Sequence, residues 1–165
     1  SNNSNTRSIS FGTNNIVLAH TTAATTVLSM ATATGFTWTG TGNFTADASV
    51  TRTFDSGSTA GGASTNAPNL SLTGSGTAIA TFVTGSWFNT LNFGTTAYTL
   101  GTTTLNCNSL VLSTGGTFTG LTATMVGTGT INTNGKTIAA LTVDAGSGTT
   151  TLASAVTTGV TAATA

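Results

Sequence analysis

The chain has 165 residues and no formal net charge, and only 4% of its residues are charged, against about 25% in average globular domains. This composition excludes the clustered lysines and arginines that nucleic-acid binding needs, and it disfavours attraction to an anionic membrane surface. No stretch approaches the roughly 18 apolar residues of a membrane-spanning helix. Because 38% of the residues are hydrophobic and the mean hydropathy is +0.25, the sequence predicts a folded chain rather than a disordered one.

Short alternating runs bounded by glycine, asparagine and serine predict strands from the start of the chain. Before residue 61 the clearest runs are 8–11, 16–18 and 36–38. Helix is disfavoured, since threonine, serine, asparagine and glycine are weak helix formers. Segments 6–12 and 51–57 match each other, and we expect them to mark two turns of a repeating structure. We assign residues 1–60 to irregular N-terminal β coils.

From Leu70 onward, apolar residues mark the centres of the predicted strands, and alternate centres are about 20 residues apart. This spacing suits one coil of a parallel β-helix. The centres are Leu70, Phe82, Leu91, Leu100, Leu110, Leu121, Ile131, Leu141, Leu152 and Val160. Asn69, Asn89 and Asn108 precede three of these strands and predict sharp corners, because asparagine tolerates the left-handed conformation. We assign residues 61–165 to regular β-solenoid coils, in one continuous domain with 1–60 and as an internal segment of a longer protein.

The predicted fold is all-β, a parallel β-helix or β-solenoid with coils of about 20 residues. An antiparallel β-sandwich or jelly roll is the alternative, since strands at short, even spacing fit those folds as well. The alternation of centres and the predicted corner asparagines favour the solenoid. In such a fold, apolar side chains stack in columns that face the interior. Backbone hydrogen bonds hold successive coils together, so the fold needs few charged residues.

Residues for acid–base or metal chemistry are scarce. Beside the single histidine, His20, the only carboxylates are Asp47, Asp55 and Asp144. Asp47 and Asp55 flank a predicted strand, and glycoside cleavage needs paired carboxylates, but a salt bridge to Arg52 or plain exposure accounts for them better. One cysteine and one histidine cannot build a zinc site, and the aspartates lack calcium-loop spacing. We predict a non-enzymatic protein with no catalytic residue, no metal site and no cofactor.

Aromatic and threonine side chains are the remaining candidates for a binding surface. Trp38, Trp87 and Tyr98 are candidate glycan contacts, because aromatic rings stack on sugars, and core filling is the alternative. Runs of Thr-x-Thr, such as 37–39 and 122–124, are typical of ice-binding solenoids, although the motif does not recur at a fixed place in each coil and threonine is also a good strand former. Cys107 is predicted to be a small buried hydrophobe.

Segments 4–12 (SNTRSISFG), 61–70 (GGASTNAPNL) and 130–138 (TINTNGKTI) resemble the Thr/Asn/Gly-rich repetitive β-solenoid proteins of tailed bacteriophages and environmental viral sequences. That resemblance implies a structural component of a phage or viral appendage, or of a related extracellular fibre, located on a virion or a cell surface. Its expected partners are further copies or neighbouring structural subunits, joined through neutral, hydroxyl-rich β surfaces. A glycan-binding adhesin or filament subunit and an ice-binding β-solenoid remain the alternatives.

Overall fold

A computed structural model of the chain describes residues 7–10, 12–18, 25–29, 36–39, 42–47, 52–55, 67–73, 80–82, 87–94, 100, 103–144 and 146–158. Within these ranges the regular secondary structure consists of β-strands, and no helix occurs. The strong β propensity of threonine, valine, isoleucine and phenylalanine is the local reason for this.

The strands are short and follow one another closely along the chain. In chain order they are β1 (Arg7–Ser10), β2 (Ile16–Leu18), β3 (Thr25–Ser29), β4 (Phe36–Thr39), β5 (Asn43–Asp47), β6 (Arg52–Asp55), β7 (Asn69–Thr73), β8 (Ala80–Phe82), β9 (Trp87–Asn92), β10 (Thr103–Val111), β11 (Leu121–Val126), β12 (Gly129–Asn132), β13 (Thr137–Ile138), β14 (Ala140–Asp144), β15 (Thr150–Leu152) and β16 (Thr157–Thr158). Each strand run named from the sequence coincides with or overlaps one of these strands.

Every strand pair in the described residues is parallel, and the partners come from different coils. The largest sheet runs in the order β14-β11-β10-β9-β7-β5-β2, with β12 and β15 attached through β10. Smaller sheets are β3-β6-β8, β1-β4 and β13-β16. Parallel strands need a crossover between them, and here the crossover is the rest of the coil. The chain is therefore a β-solenoid, as the sequence predicts, and the antiparallel alternative is wrong.

One inward column of side chains runs the length of the largest sheet, and we call it the apolar ladder. Its members, each paired in register with the next, are Ile16, Phe44, Leu70, Leu91, Leu110, Ile131 and Leu152. From Leu70 to Leu152 these are every second apolar centre of the sequence series, so the predicted alternation is confirmed. The five inner members are buried, and they form the spine of the core.

The coils differ in length between the two ends of the molecule. Before Leu70, paired residues lie 26 to 29 positions apart, whereas from Leu91 onward they lie 18 to 21 positions apart. The predicted match of segments 6–12 and 51–57 is wrong, because Arg7 pairs with Phe36 in one sheet and Arg52 lies in another. The predicted boundary at residues 60–61 lies outside the described residues.

The corners are built differently from the sequence expectation. Asn69, Asn89 and Asn108 lie within strands, and none of them has a positive φ. The left-handed asparagine of the described residues is Asn134, with a φ of 49°. Its backbone N–H donates to Oδ1 of Asn132 at 3.0 Å, an Asx turn that lets the chain leave β12 sharply.

Candidate functional site

The described residues do not bring the three aromatic candidates for glycan contact together on one surface. Trp87 is only 8% exposed, although it alternates along β9 with Phe88, which points into the core. Trp38 lies in β4 and pairs with Ile9 along the backbone. Tyr98 lies outside the described residues. Glycan contact thus stays a prediction for Trp38, Trp87 and Tyr98.

The titratable residues are spread over separate parts of the fold. Asp47 ends β5 and Asp55 ends β6, and these two strands belong to different sheets. Asp144 ends β14 and is exposed, while His20 lies outside the described residues. Among the residues that the structure describes, no group of at least three histidine, cysteine or acidic side chains is placed to hold a metal ion.

Cys107 is fully buried in the core, as the sequence predicts. It pairs with Met125 of the next coil, and the two sulfur atoms are 3.7 Å apart. Burial raises the pKa of the Cys107 thiol from 9.0 to about 12. Since the thiolate is the reactive form, this thiol is a packing group in the folded chain.

A patch of outward-facing threonines covers one flat sheet of the C-terminal coils. Strands β10, β11 and β14 pair in register, so that Thr104 lies beside Thr122, and Thr124 lies beside Thr142. We call these four residues the threonine array. The alternate residues of β11 are buried, while Thr122 and Thr124 are partly exposed. Parallel strands are about 4.8 Å apart and alternate residues of a strand about 6.6 Å apart, so the four threonines stand at regularly spaced backbone positions.

A second outward feature, the asparagine ladder, joins the longer coils. It consists of Asn15, Asn43, Asn69 and Asn89. Asn15 Oδ1 accepts a hydrogen bond from the Asn43 backbone N–H at 2.9 Å, and Asn89 Nδ2 donates to Asn69 Oδ1 at 2.8 Å. Asn69 Nδ2 also donates to the carbonyl of Gly42 at 3.2 Å. These bonds connect successive coils through their side chains, in addition to the backbone ladder.

The two ends of the apolar ladder are open to solvent. Ile16 is 39% exposed and Leu152 is 58% exposed, against 0% for Leu91, Leu110 and Ile131 between them. Within the described residues, β2 pairs only with β5 and β15 pairs only with β12. Among the described residues each of these strands therefore has one neighbouring strand, and each carries a terminal side chain of the apolar ladder.

Sequence reasoning did not single out these ladder ends. Leu152 belongs to the periodic series from Leu70 and is recognisable as its last described member. Ile16 was missed because the coils before Leu70 exceed 20 residues, which hides its place in the series. Of the threonine array, the sequence singled out the run 122–124. Thr104 falls in a run of three threonines, and only the strand register shows that it stacks on Thr122.

No protein-family model, curated protein or solved structure matches the chain significantly. In the part of the chain that the structure describes, no helix has the length and apolar character needed to cross a membrane. The geometry of the solenoid itself therefore carries the functional argument.

Proposed function

We propose that the chain is a non-enzymatic structural component of a fibre-like assembly, either a phage or viral appendage or a related extracellular fibre. The observation that carries this proposal is the apolar ladder, which runs in unbroken parallel register from Ile16 to Leu152. A continuous ladder of stacked coils gives mechanical stiffness.

In this proposed function the folded chain has a mechanical role. Each coil is held to the next by backbone hydrogen bonds and by inward side chains such as Leu91 on Leu110. With no formal net charge, neighbouring subunits do not repel one another, and neutral surfaces favour association. The resemblance to repetitive phage appendage proteins agrees with this role, and it is the reason to propose a virion or extracellular location.

The distribution of polar groups supports the non-enzymatic part of the proposal. An acid–base mechanism needs two titratable groups within hydrogen-bonding reach of one substrate, whereas Asp47 and Asp55 end strands of different sheets. A cysteine nucleophile needs an accessible thiolate, whereas Cys107 is buried with a raised pKa.

Sedimentation velocity over a range of protein concentrations, with electron microscopy of the same samples, tests the proposal. We expect assembly that grows with concentration, and unbranched rods in the micrographs. A chain that stays monomeric at every concentration would contradict it.

The threonine array favours a second candidate function, the ordering of water at an ice surface. Thr104, Thr122, Thr124 and Thr142 repeat in two dimensions on paired strands, and each threonine offers a methyl group and a hydroxyl group side by side. Measurement of ice recrystallisation separates the two candidates. If ice binding is the function, Thr124→Lys abolishes inhibition of recrystallisation, while Thr130→Lys in β12, outside the array, retains it. No inhibition by the unmodified chain would remove this candidate.

A further inference from the structure

Asn134 and Gly135 are the single Asn-Gly pair of the sequence, and they lie at the corner between β12 and β13, where both are exposed. Both have a positive φ, 49° for Asn134 and 74° for Gly135. The Lys136 backbone N–H donates to the Thr133 carbonyl at 3.0 Å. Residues 133–136 therefore make a tight turn with the two positive φ values of type I′, and the Asn-Gly pair is its solvent-facing tip.

Asparagine is a thermolabile residue, and an asparagine that precedes glycine can react with its own backbone. The Gly135 nitrogen attacks the side-chain carbon Cγ of Asn134 and forms an N–Cγ bond, which closes a cyclic succinimide. The Cγ–Nδ2 bond breaks, and Nδ2 leaves as ammonia with the proton that the Gly135 nitrogen gives up. Water, the only co-reactant, then opens the ring at either carbonyl. The products are aspartate and isoaspartate.

The structure leaves the attacking nitrogen of Gly135 accessible. Its N–H donates no hydrogen bond to any residue that the structure describes. A Cβ atom built on Gly135 would meet nothing within 4 Å, so no described segment of the chain covers the backbone at this point. Glycine also has no side chain to hinder ring closure, and it is the residue with the greatest backbone freedom. The nucleophile is therefore unbonded, uncovered and next to its target.

The amide group that this reaction removes joins two coils. Asn134 Nδ2 donates to the Leu112 carbonyl of the preceding coil, beside the backbone bond from the Leu112 N–H to the Asn132 carbonyl at 2.9 Å. An amide nitrogen donates, whereas an ionised carboxylate only accepts. Aspartate at position 134 thus sets a negative charge against a carbonyl oxygen, and isoaspartate also lengthens the main chain of the turn. Either product weakens the contact between these coils.

Asn108, which precedes the small residue Ser109, provides a contrast within the same chain. Asn108 is only 7% exposed and lies inside β10, and Ser109 pairs with Thr90 of the neighbouring strand. Ring closure at Asn108 therefore requires β10 to detach from the sheet, which costs the free energy of local unfolding. The turn at Asn134 needs no such opening.

We propose that Asn134 is a site of spontaneous deamidation in the folded chain, and that the change removes the side-chain bond to Leu112 and makes the solenoid less stable as it ages. The modification needs no enzyme and no partner, because the turn supplies both the nucleophile and the leaving group. It goes beyond the proposed structural function and does not depend on it, since a single folded chain contains every group that reacts.

Peptide mapping by mass spectrometry, on chains incubated either folded or in concentrated urea and sampled over time, tests the site. Each converted asparagine shows the mass difference between an amide and an acid. In the folded chain we expect conversion of Asn134 to be at least several-fold faster than that of Asn108. Urea should accelerate conversion of Asn108 many-fold and that of Asn134 only slightly. Asn134→Gln is the matched control, because its longer side chain closes a larger ring less readily. If folding slows Asn134 as strongly as Asn108, the turn is protected and the proposal fails.

Urea denaturation of fresh and aged chains tests the consequence for stability. We expect the midpoint to fall as the converted fraction rises, and Asn134→Asp to show a lowered midpoint without ageing. Asn132→Asp is the control, since its carboxylate carries the same charge and still accepts the bond from the Asn134 N–H, so its midpoint should change much less. Equal shifts in the two variants would assign the effect to charge alone and remove the role of the Leu112 bond. An unchanged midpoint in fully converted chains would contradict the loss of stability.

Discussion

The coils before Leu70 need 26 to 29 residues to return to the same sheet, whereas the coils after Leu91 need 18 to 21. Their cores differ as well. Buried phenylalanines fill the longer coils and the middle of the molecule, and Phe118 is the last aromatic residue of the sequence. Beyond it the core consists of leucine, isoleucine, methionine and alanine.

The aromatic core does not end where the coils shorten, because Phe93 and Phe118 lie in the first of the shorter coils and are buried. Protein interiors are packed to a nearly constant density, so aromatic side chains fill the core up to Phe118 and aliphatic ones fill it beyond. Phe54 and Phe82 stack with ring centroids 5.5 Å apart, and Phe82 meets Phe93 edge to face at 6.1 Å. The coils beyond Phe118 carry no aromatic ring, and they bring backbone segments into close contact, as at Gly129.

Gly129→Ala breaks the tight packing of the shorter coils. A Cβ atom at this position would lie 1.8 Å from the Asn108 carbonyl oxygen, so the two coils would have to separate. We expect the free energy of unfolding to fall by more than about 4 kcal/mol, in the range reserved for severe substitutions. Urea denaturation followed by circular dichroism measures this loss.

Gly135→Ala is the matched control for that substitution. A Cβ atom there meets nothing within 4 Å, although Gly135 has a φ of +74°. The expected loss is therefore only the cost of the left-handed conformation, about 1–2 kcal/mol. Equal losses at the two glycines would mean that the coils are not as close at Gly129 as the structure places them.

Phe54→Ala tests the aromatic filling of the longer coils. The side chain is 1% exposed, and its removal leaves a large cavity beside Phe82. We expect a loss of about 3–4 kcal/mol in the free energy of unfolding, as for other buried phenylalanines. The reverse substitution in a short coil, Ile131→Phe, overfills the core and costs about 1–3 kcal/mol. A neutral or stabilising Ile131→Phe would show that the coils beyond Phe118 are not tightly packed around their aliphatic side chains.

Asn69→Ala removes the centre of the asparagine ladder, which joins the longer coils. It deletes the bond to the Gly42 carbonyl and the bond from Asn89, and the expected loss is about 1–2 kcal/mol. Thr104→Val, at an exposed position of the shorter coils, should change stability by less than about 0.5 kcal/mol. The idea that side-chain amides hold the longer coils together fails if both variants unfold at the same urea concentration.

The smallest expected effect is the contribution of the Cys107 thiol to stability, which depends on pH. Burial raises the pKa of its thiol from 9.0 to about 12, so the unfolded chain loses this proton at lower pH than the folded chain. The stability contribution is fully present below pH 9.0 and is lost as the pH rises from there toward 12. Between pH 8 and pH 10 we expect a loss of about 1 kcal/mol. Cys107→Ala should lack this additional decline, and an unchanged decline would exclude the thiol as its source.

The sequence predicted the shorter coils well because their repeat is nearly constant. Leu91, Leu110, Ile131 and Leu152 recur at almost even intervals, and stacked coils place such residues in one ladder. Before Leu70 the coils are longer, which shifts Phe44 and Ile16 out of the periodic series without moving them from the ladder. Periodicity alone therefore could not locate them.

The outward features were harder to predict, because each depends on register between coils. Trp87 and Phe88 are consecutive residues of β9 and both are buried, which alternation of side chains along a strand does not predict. Asn69 and Asn89 were expected at corners because asparagine favours turns. The structure uses them inside strands, where amides on neighbouring coils satisfy each other.

X-ray diffraction from oriented assemblies tests the central claim most directly, since the claim fixes how the strands lie relative to the long axis of the rod. If the coils of the chains stack along the axis of the rod, the spacing of about 4.8 Å between strands lies along that axis and appears as a meridional reflection. Rods that show this spacing on the equator, with strands running along the axis, would contradict the account.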